Sequence, residues 1–365
     1  AIEMALGRGG DQVVIKNGNN ITYYGGKTQQ MEKNTRVKAR VKAQALKEFM
    51  STKDRVVVMG HKITDVDALG AAIGIFRAGK TLGKSVSIVV NDPTKSIRPL
   101  IAGYVNNPDY EPSMFVDSAQ AKDLIDNNTV VVVVDTNRPS YTECEELLHM
   151  TKTIVVLDHH RRGSEVIENA VLSYVEPYAS SACEMVAEIL QYFSDDLRLR
   201  NIEADCIYAG IMIDTNNFIT RAGVRTFEAA AFLRRAGADT SDVQRLFQSD
   251  LAGMVERYDI IRHAELVHGD IAVAAVEKEI DRVTAAKAAD ELLTLSGIHA
   301  SVVLYKHGTG VNLSARSLGE INVQFIMEKL GGGGNSTTAG GQVNDATVDE
   351  VRERLLAAID EYMEE

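Results

Sequence analysis

Residues 154–162, Ile-Val-Val-Leu-Asp-His-His-Arg-Arg, decide the fold, because four apolar residues run directly into an acid, two imidazoles and two guanidinium groups. A continuous apolar run of this length, bounded by polar residues, predicts a strand that is buried on both faces. Open α/β folds bind ligands at the carboxyl ends of such strands, so the polar residues from Asp158 onwards are candidates for a site. An Asp-His pair at a strand end can also be only a turn, and the rest of the chain has to decide between the two.

Similar apolar runs recur along the chain. Further buried strands are predicted at residues 56–60, 85–90 and 130–134. Helical stretches lie between them, and this alternation indicates a parallel, doubly wound sheet. A second segment, with strands near residues 271–276 and 300–305, follows a polar connecting stretch at residues 236–253. The sequence therefore predicts an α/β protein with two domains.

Composition narrows the class of protein. The 365 residues carry a formal net charge of -12, which argues against binding to long nucleic acid through a basic surface. Cys144, Cys183 and Cys206 stand alone, which favours a reducing compartment and excludes a disulfide framework and a cysteine zinc site. No apolar run approaches the roughly 20 residues that span a bilayer, and no signal peptide opens the chain, so we expect a soluble chain.

Polar side chains follow the predicted apolar segments. His61, Asp65 and Asp67 follow the first strand, Asp135 follows the valine run, Asp158, His159 and His160 follow the quoted strand, and Asp214 ends an apolar segment at residues 204–213. If these segments are parallel strands, the polar groups meet at one edge of the sheet. Each acid alone could be only a helix cap. Carboxylates with a minority of imidazoles are the ligands of Mn²⁺ and related ions.

A site with two metal ions explains why so many acids occur together. Asp65, Asp67, Asp135 and Asp214 carry four negative charges, which two divalent cations would neutralise. Two ions roughly 3.5–4 Å apart can stabilise both the attacking and the leaving oxygen of a phosphoryl transfer. The residues therefore favour a metal-dependent phosphoesterase.

The order and spacing of these residues resemble those of the DHH phosphoesterase superfamily. The resemblance rests on His-x-x-x-Asp-x-Asp at residues 61–67, then Asp135, Asp158-His159-His160 and Asp214. Residues 314–317, 321–324 and 330–334 resemble its DHH-associated C-terminal domain, and they are closer to GdpP-type cyclic-di-AMP phosphodiesterases than to nanoRNases. Residues 5–12 and 24–27 resemble the tail of the degenerate GGDEF domain that precedes the catalytic module in that family.

The resemblance implies a domain order. It assigns residues 1–50 to the tail of an upstream degenerate GGDEF domain and a linker helix, 51–235 to a parallel-sheet DHH catalytic domain, 236–265 to an interdomain linker and 266–365 to a smaller α/β C-terminal domain that binds substrate. It also implies that the active site lies in the cleft between these two domains.

Site roles follow from the same resemblance. One metal ion falls to His61, Asp65 and Asp135, and the other to Asp67, Asp135, His159 and Asp214, with Asp135 as a bridging catalytic residue. Asp158 and His160 become catalytic residues that orient the ligands or face the substrate. Substrate binding is expected from Ser314, Arg316, Gly331, Gly332, Gly333, Gly334 and Asn335. The glycines could bring backbone N–H groups close to a phosphate or simply stop a helix.

Asn335 is a departure from the family pattern, in which a His normally follows the glycine run. An imidazole can donate a proton or carry positive charge, whereas an amide can only hydrogen-bond. If the usual His assists binding or protonation of the leaving group, Asn335 weakens that step and leaves the metal site intact.

The resemblance implies hydrolysis of cyclic-di-AMP to linear pApA through attack of a hydroxide that bridges two divalent metal ions, with Mn²⁺ expected. Two alternatives are a nanoRNase that hydrolyses pApA and a cyclic-dinucleotide-binding module whose turnover is impaired at Asn335. The expected partners are cyclic-di-AMP and pApA, with no long nucleic acid and no membrane contact by this fragment. It also implies a bacterial, membrane-anchored full-length protein whose catalytic module faces the cytoplasm, and it leaves a homodimer open.

Overall fold

The computed structural model describes residues 12–17, 20–25, 31–163, 165–248 and 251–364. The described residues divide into two compact units, one within residues 27–248 and the other formed by the residues from 251 onwards together with a short N-terminal hairpin. The division between them falls inside the predicted linker at residues 236–265. Residues 5–11 and 26–27 of the GGDEF-like motifs lie outside the described residues.

The strands, in chain order, are β1 (Gln12–Asn17), β2 (Asn20–Gly25), β3 (Arg55–Met59), β4 (Ser85–Val89), β5 (Phe115–Val116), β6 (Thr129–Val134), β7 (Ile154–Asp158), β8 (Leu172–Val175), β9 (Ala264–Val267), β10 (Ile271–Glu279), β11 (Ala300–His307), β12 (Gly310–Ser317), β13 (Gly333–Gly334) and β14 (Thr338–Val343). The α-helices are α1 (Met31–Ser51), α2 (Val66–Thr81), α3 (Arg98–Val105), α4 (Ser118–Leu124), α5 (Leu147–Met150), α6 (Ala182–Phe193), α7 (Asn201–Asp214), α8 (Val224–Arg235), α9 (Thr240–Leu246), α10 (Leu251–Ile261), α11 (Arg282–Leu292), α12 (Val323–Lys329) and α13 (Val348–Glu364). β1 and β2 pair antiparallel, which agrees with the hairpin pattern of their residues.

A six-stranded sheet forms the centre of the first unit, in the order β5-β4-β3-β6-β7-β8. All of its neighbouring strands are parallel, as the sequence predicts. Every residue of β6 is buried, because helices cover both faces of the sheet and an apolar side chain is needed on each. The parallel α/β architecture is confirmed, and the carboxyl ends of β3, β6 and β7 lie next to one another.

Asp214 corrects one of the predictions. The apolar segment at residues 204–213 is not a strand but the body of α7, and Asp214 is the last residue of that helix. The helix is buried on most sides, so its sequence lacks the polar face that usually marks a helix. Asp214 therefore joins the other polar groups from a helix end instead of a strand end.

Close helix packing brings α2, α6 and α7 together on one face of this sheet. A Cβ atom on Gly70 would lie 2.6 Å from the Cys183 sulfur and 2.7 Å from the Cys206 carbonyl oxygen. A Cβ atom on Gly210 would lie 2.3 Å from the same sulfur and 3.0 Å from the Asp67 Cα. Glycine is thus required where α2 and α7 approach each other beside Asp67.

The residues Ser181 to Glu184 have the spacing of a capping box at the start of α6, and one half of that box forms. Ser181 is the N-cap, and its hydroxyl accepts the Glu184 N–H at 3.0 Å. The Glu184 carboxylate does not return to the N-cap backbone. It accepts hydrogen bonds from the Ser180 hydroxyl at 2.6 Å and from the Thr226 hydroxyl at 2.6 Å, so it ties α8 to the start of α6.

The helix α1 belongs to the core of the first unit. Ala39, Ala43, Leu46 and Met50 are fully buried, and α1 packs on α6. Lys42 donates a hydrogen bond to the Ser173 carbonyl of β8 at 3.3 Å. Lys38 and Arg40 of the same helix are exposed, so these basic residues lie on the side away from the core.

The second unit contains a mixed six-stranded sheet in the order β13-β14-β12-β11-β10-β9. Only β10 and β11 pair in parallel. One face packs against α12 and α13, and the other against α10 and α11. The smaller α/β domain expected from the sequence is confirmed. Among the described residues, no helix combines the length and the apolar composition needed to span a membrane.

Candidate functional site

The first cluster of potential metal ligands contains His61, Asp65 and Asp135. His61 Nε2 lies 3.5 Å from Asp65 Oδ2 and 3.4 Å from Asp135 Oδ2. Asp65 also acts as the N-cap of α2, because its Oδ1 accepts the Ala68 N–H at 3.0 Å. Capping by Oδ1 leaves Oδ2 directed toward His61, so the capping explanation and the ligand explanation of Asp65 are compatible.

The second cluster contains Asp67, His159 and Asp214. His159 Nε2 lies 3.8 Å from Asp67 Oδ2 and 3.6 Å from Asp214 Oδ2. These three groups come from the first turn of α2, the residue after β7 and the last residue of α7. Parallel-strand topology explains why His159 lies here, and close helix packing supplies the other two.

Asp135 lies between the two clusters. Its Oδ2 faces His61, and its Oδ1 lies 3.3 Å from His159 Nε2. The buried Oδ1 has no hydrogen-bond partner among the described residues, and the residue has a φ of 58°, which is uncommon for any residue other than glycine. A buried carboxylate oxygen without a donor, held in a strained backbone, fits a ligand shared by two cations.

Asp67 is held by the N-terminus of α6. Its Oδ2 accepts the Ala182 N–H at 2.6 Å, and its Oδ1 accepts the Cys183 N–H at 2.9 Å. Two backbone donors and the positive end of the helix dipole favour its ionised form, but complete burial and the charges of Asp135 and Asp214 raise its pKa well above the usual value. The helix that begins at Ser181 therefore orients this carboxylate toward His159.

Asp158 is fully buried and orients His160. Its Oδ1 accepts hydrogen bonds from the His160 backbone N–H at 3.1 Å and from His160 Nδ1 at 2.9 Å. Its Oδ2 accepts a short hydrogen bond from the Asn137 amide. The His160 ring also lies near the Asp135 carboxylate, with Nδ1 3.5 Å from Asp135 Oδ1. This placement agrees with the expected orienting role of Asp158, and Asn137 is a partner that the sequence did not indicate.

The charges of the site perturb one another strongly. Burial opposes protonation of His61, but its contacts with Asp135 and Asp65 raise its pKa to about 10. Burial likewise opposes protonation of His159, whose pKa is raised to about 9 by Asp135 and the neighbouring acids. Burial and the charge of Asp135 raise the pKa of Asp214 to about 6. The acids thus raise the pKa values of the histidines and of one another, and bound cations would relieve the repulsion among these carboxylates.

Metal affinity is expected to increase with pH between about pH 6 and pH 8, because bound histidines must be deprotonated. His61 and His159, with pKa values of about 10 and 9, carry protons throughout this range in the metal-free protein. Each proton released should raise the apparent Mn²⁺ affinity by up to about tenfold per pH unit. Calorimetric titration in two buffers with different protonation enthalpies measures the release. An affinity independent of pH would contradict these protonation states.

The change Asp158→Asn is expected to lower kcat by about ten- to a hundredfold, the usual cost of losing a group that orients a metal-site histidine. An amide keeps one acceptor, so it cannot serve Asn137 and His160 together. Metal content should stay unchanged, because Asp158 belongs to none of the ligand clusters among the described residues. Loss of bound metal, or turnover equal to that of the unchanged protein, would contradict an orienting role.

The second unit contains a pocket of its own, and part of the predicted substrate site lines it. It has a volume of about 410 Å³, and Ser314, Arg316, Gly333 and Gly334 line it. Arg316 donates through Nε to Asp290 Oδ1 at 2.9 Å and through Nη1 to the Ala315 carbonyl at 2.9 Å. The guanidinium is thus fixed at the pocket wall. Gly331, Gly332 and Asn335 are not among the lining residues.

Most of the glycine run has a structural explanation. Gly331 has a φ of 80°, and the N–H groups of Gly331 and Gly332 donate to the carbonyls of Glu328 and Met327, which forms a Schellman stop for α12. A Cβ atom on Gly332 would lie 2.3 Å from the Gly340 carbonyl oxygen. Gly333 has open space around it. The helix-stop explanation therefore holds for the start of the run, and Gly333 and Gly334 reach the pocket.

Asn335 holds the turn between β13 and β14. Its Oδ1 accepts hydrogen bonds from the backbone N–H groups of Thr337 at 3.0 Å and Thr338 at 2.8 Å, and from the Thr337 hydroxyl at 3.1 Å. This is the local turn chemistry for which asparagine is well suited. The residue that departs from the family pattern thus has a clear structural role here, and its role toward substrate stays a prediction.

The sequence did not indicate several residues that line the pocket at the first site. A pocket of about 400 Å³ there is lined by the candidate ligands His61, Asp65, Asp135 and Asp214 and by His160, Thr136, Asn137, Arg138 and Tyr141. The last four follow β6, and Arg138 lies over the Tyr141 ring at 5.5 Å. Their position directly after Asp135 was the available indication.

Comparison with known proteins identifies both units. Residues 55–211 match the model of the DHH family, N-terminal domain, and residues 268–365 match the DHHA1 domain. The chain is 47% identical over its full length to the cyclic-di-AMP phosphodiesterase GdpP of Geobacillus thermodenitrificans and 44% identical to that of Bacillus subtilis. It spans 56% of the length of each relative.

A solved structure supports the fold. An exopolyphosphatase-related protein from Bacteroides fragilis superposes with a TM-score of 0.74 at 18% identity, covering 89% of this chain and 98% of that one. The resemblance inferred from the motifs is confirmed: the chain belongs to the DHH family, with a DHHA1 domain following its DHH domain.

Proposed function

We propose that the chain is a phosphodiesterase that uses two divalent metal ions to hydrolyse cyclic-di-AMP to linear pApA. The observation that carries this proposal is Asp135, a buried carboxylate with one oxygen toward each of two His/Asp clusters. The substrate is proposed because relatives 44–47% identical over the full chain are named for that activity.

The residues fit two cations of the Mn²⁺ class. One would be held by His61, Asp65 and Asp135, and the other by Asp67, Asp135, His159 and Asp214. When bound, such ions activate water and stabilise charge on phosphate oxygens. Asp158 holds the His160 ring beside this centre, where His160 is positioned to hydrogen-bond a phosphate oxygen. We propose Mn²⁺ because oxygen ligands with a minority of imidazoles suit it.

In the second unit, we propose that Arg316 and Ser314 bind the distal phosphate and the base-bearing part of the substrate, with backbone of Gly333 and Gly334 beside them. A guanidinium fixed by Asp290 is preorganised, so less conformational entropy is lost when an anion binds. The domain limits given above and a membrane anchor in the full-length protein belong to the same proposal.

Turnover tests the proposed function directly. Purified protein with Mn²⁺ is incubated with cyclic-di-AMP or pApA, and products are separated by chromatography; accumulation of pApA is expected. Hydrolysis of pApA with cyclic-di-AMP left intact would replace the proposal with a nanoRNase. Tight binding of cyclic-di-AMP without turnover would favour the binding module, and recovery of turnover in Asn335→His would locate the cause in the turn at Asn335.

A further inference from the structure

The polar residues of β12 lie on a face of the sheet that is largely covered. Val311, Leu313 and Ala315 point into the core formed with α12 and α13. The alternate residues Asn312, Ser314 and Arg316 point to the opposite face. Helices α10 and α11 pack on this face of the sheet, and only 8% of Ser314 and 16% of the Arg316 side chain are accessible. A covered row of three polar residues needs an explanation.

The row faces the 410 Å³ pocket, and glycine keeps the pocket open. β14 pairs with β12 so that Gln342 lies opposite Asn312, Gly340 opposite Ser314 and Thr338 opposite Arg316. Directly paired residues share a face, so the missing side chain of Gly340 leaves space beside Ser314. The volume lies within the range of small-molecule sites. The pocket can therefore accept a nucleobase.

The hydrogen bonds of this row are incomplete at one atom. Arg316 is engaged by Asp290, Ser314 and the Ala315 carbonyl. The Asn312 amide oxygen, in contrast, is buried and has no hydrogen-bond partner among the described residues. Buried polar atoms in native proteins are nearly always paired, so this oxygen in the pocket wall is available to accept a hydrogen bond from a donor group of a bound ligand.

An amide recognises adenine by its chemistry. Adenine presents an amino donor and a ring-nitrogen acceptor side by side, which match the oxygen and the NH₂ of an asparagine. Guanine presents two acceptors on the same edge, so the amide oxygen would face another acceptor. Given the function proposed above, on which this inference rests, we propose that Asn312 selects adenine over guanine in the pocket of the second unit.

Two substitutions test this selection by different chemistry. Asn312→Leu keeps the size and removes both donor and acceptor, whereas Asn312→Asp keeps the acceptor and removes the donor. The exposed Asn106, in the first unit, provides the control Asn106→Leu. For each protein, kcat and KM are measured with cyclic-di-AMP and cyclic-di-GMP in the presence of Mn²⁺.

The preference for cyclic-di-AMP, expressed as the ratio of kcat/KM values, should fall by about ten- to a hundredfold in Asn312→Leu, mainly through KM for cyclic-di-AMP. Asn312→Asp should lose part of the preference, and Asn106→Leu should retain it. If Asn312 had only a structural role, kcat/KM would fall equally for both substrates. The ratio of the two values would then stay unchanged, and that result would overturn the inference. If Asn312→Leu does not fold, the Asp variant decides.

Failure of the proposed function gives a different result. If the unchanged protein hydrolyses neither dinucleotide, the proposed phosphodiesterase activity is wrong. Equilibrium binding of the two dinucleotides then tests the role of Asn312 separately. The same loss of adenine preference is expected in binding. Equal affinity of the unchanged protein for both dinucleotides would overturn the inference.

Discussion

Exchanging Asp135 for Asn is expected to lower Mn²⁺-dependent hydrolysis of cyclic-di-AMP by about a thousandfold, the upper end of what losing one preorganised electrostatic group costs. The carboxylate is the group whose oxygens face both ligand clusters, and its buried Oδ1 lies 3.3 Å from His159 Nε2 without a hydrogen bond of normal geometry among the described residues. An amide would present one acceptor and one NH₂ group, so it cannot bridge two cations. The number of bound Mn²⁺ ions should also fall.

Asn is chosen because the backbone at this position is unusual. At a φ of 58°, Asn and Asp are tolerated better than Ala, so the variant should fold. The matched control is Asp195→Asn, which changes an exposed acid outside the ligand clusters. Thermal unfolding without metal should be similar for both variants. Full metal occupancy with turnover within a few-fold of the unchanged protein would show that Asp135 does not bridge.

The sequence predicts the strand-end part of this site well, because parallel topology forces the carboxyl ends of β3, β6 and β7 together. The strand pattern alone is enough to predict that His61, Asp135 and His159 lie close together. Asp214 was grouped correctly but placed on the wrong kind of element, since a helix buried on most sides lacks amphipathic spacing. Its proximity to Asp67 depends on the close packing of α2 and α7 at Gly70 and Gly210.

Pairings between distant residues were beyond prediction. The bond from Asn137 to Asp158 depends on the register of β6 and β7 and on the turn that follows each strand. The orphaned amide of Asn312 depends on where α11 stops covering the sheet. The glycine run at residues 331–334 could not be assigned to one role from the sequence, because the end of a helix and the close approach of two strands require glycine just as phosphate binding does.

Replacing Arg77 with Met is expected to lower the free energy of unfolding by about 3–5 kcal/mol, because it leaves a buried carboxylate without its cation. Arg77 donates through Nε and Nη2 to the two oxygens of Glu203, at 2.8 and 2.5 Å. Glu203 is fully buried, and its other donors are the Tyr110 hydroxyl at 3.0 Å and the Arg200 N–H at 2.9 Å. Urea-induced unfolding measures the loss.

Two controls separate the buried pair from ion pairs in general. Arg245→Met removes an exposed pair with Asp242 and should cost at most about 1 kcal/mol. The double change Arg77→Met with Glu203→Leu should recover most of the loss, because no charge is then left buried without a partner. If Arg77→Met costs no more than Arg245→Met, the pair does not hold the helices.

Loss of this pair should also weaken metal binding, although Arg77 lies in neither ligand cluster. Asp65 and Asp67 lie at the start of α2 and Asp214 at the end of α7, and Arg77 and Glu203 join the opposite ends of the same two helices. Because the helices touch closely at Gly70 and Gly210, loosening one end lets the other end shift by the small distances that matter to a ligand set. The stabilisation by Mn²⁺ should therefore be smaller in Arg77→Met than in the unchanged protein. It should return in the double variant, since metal binding and folding are coupled through the position of these helices.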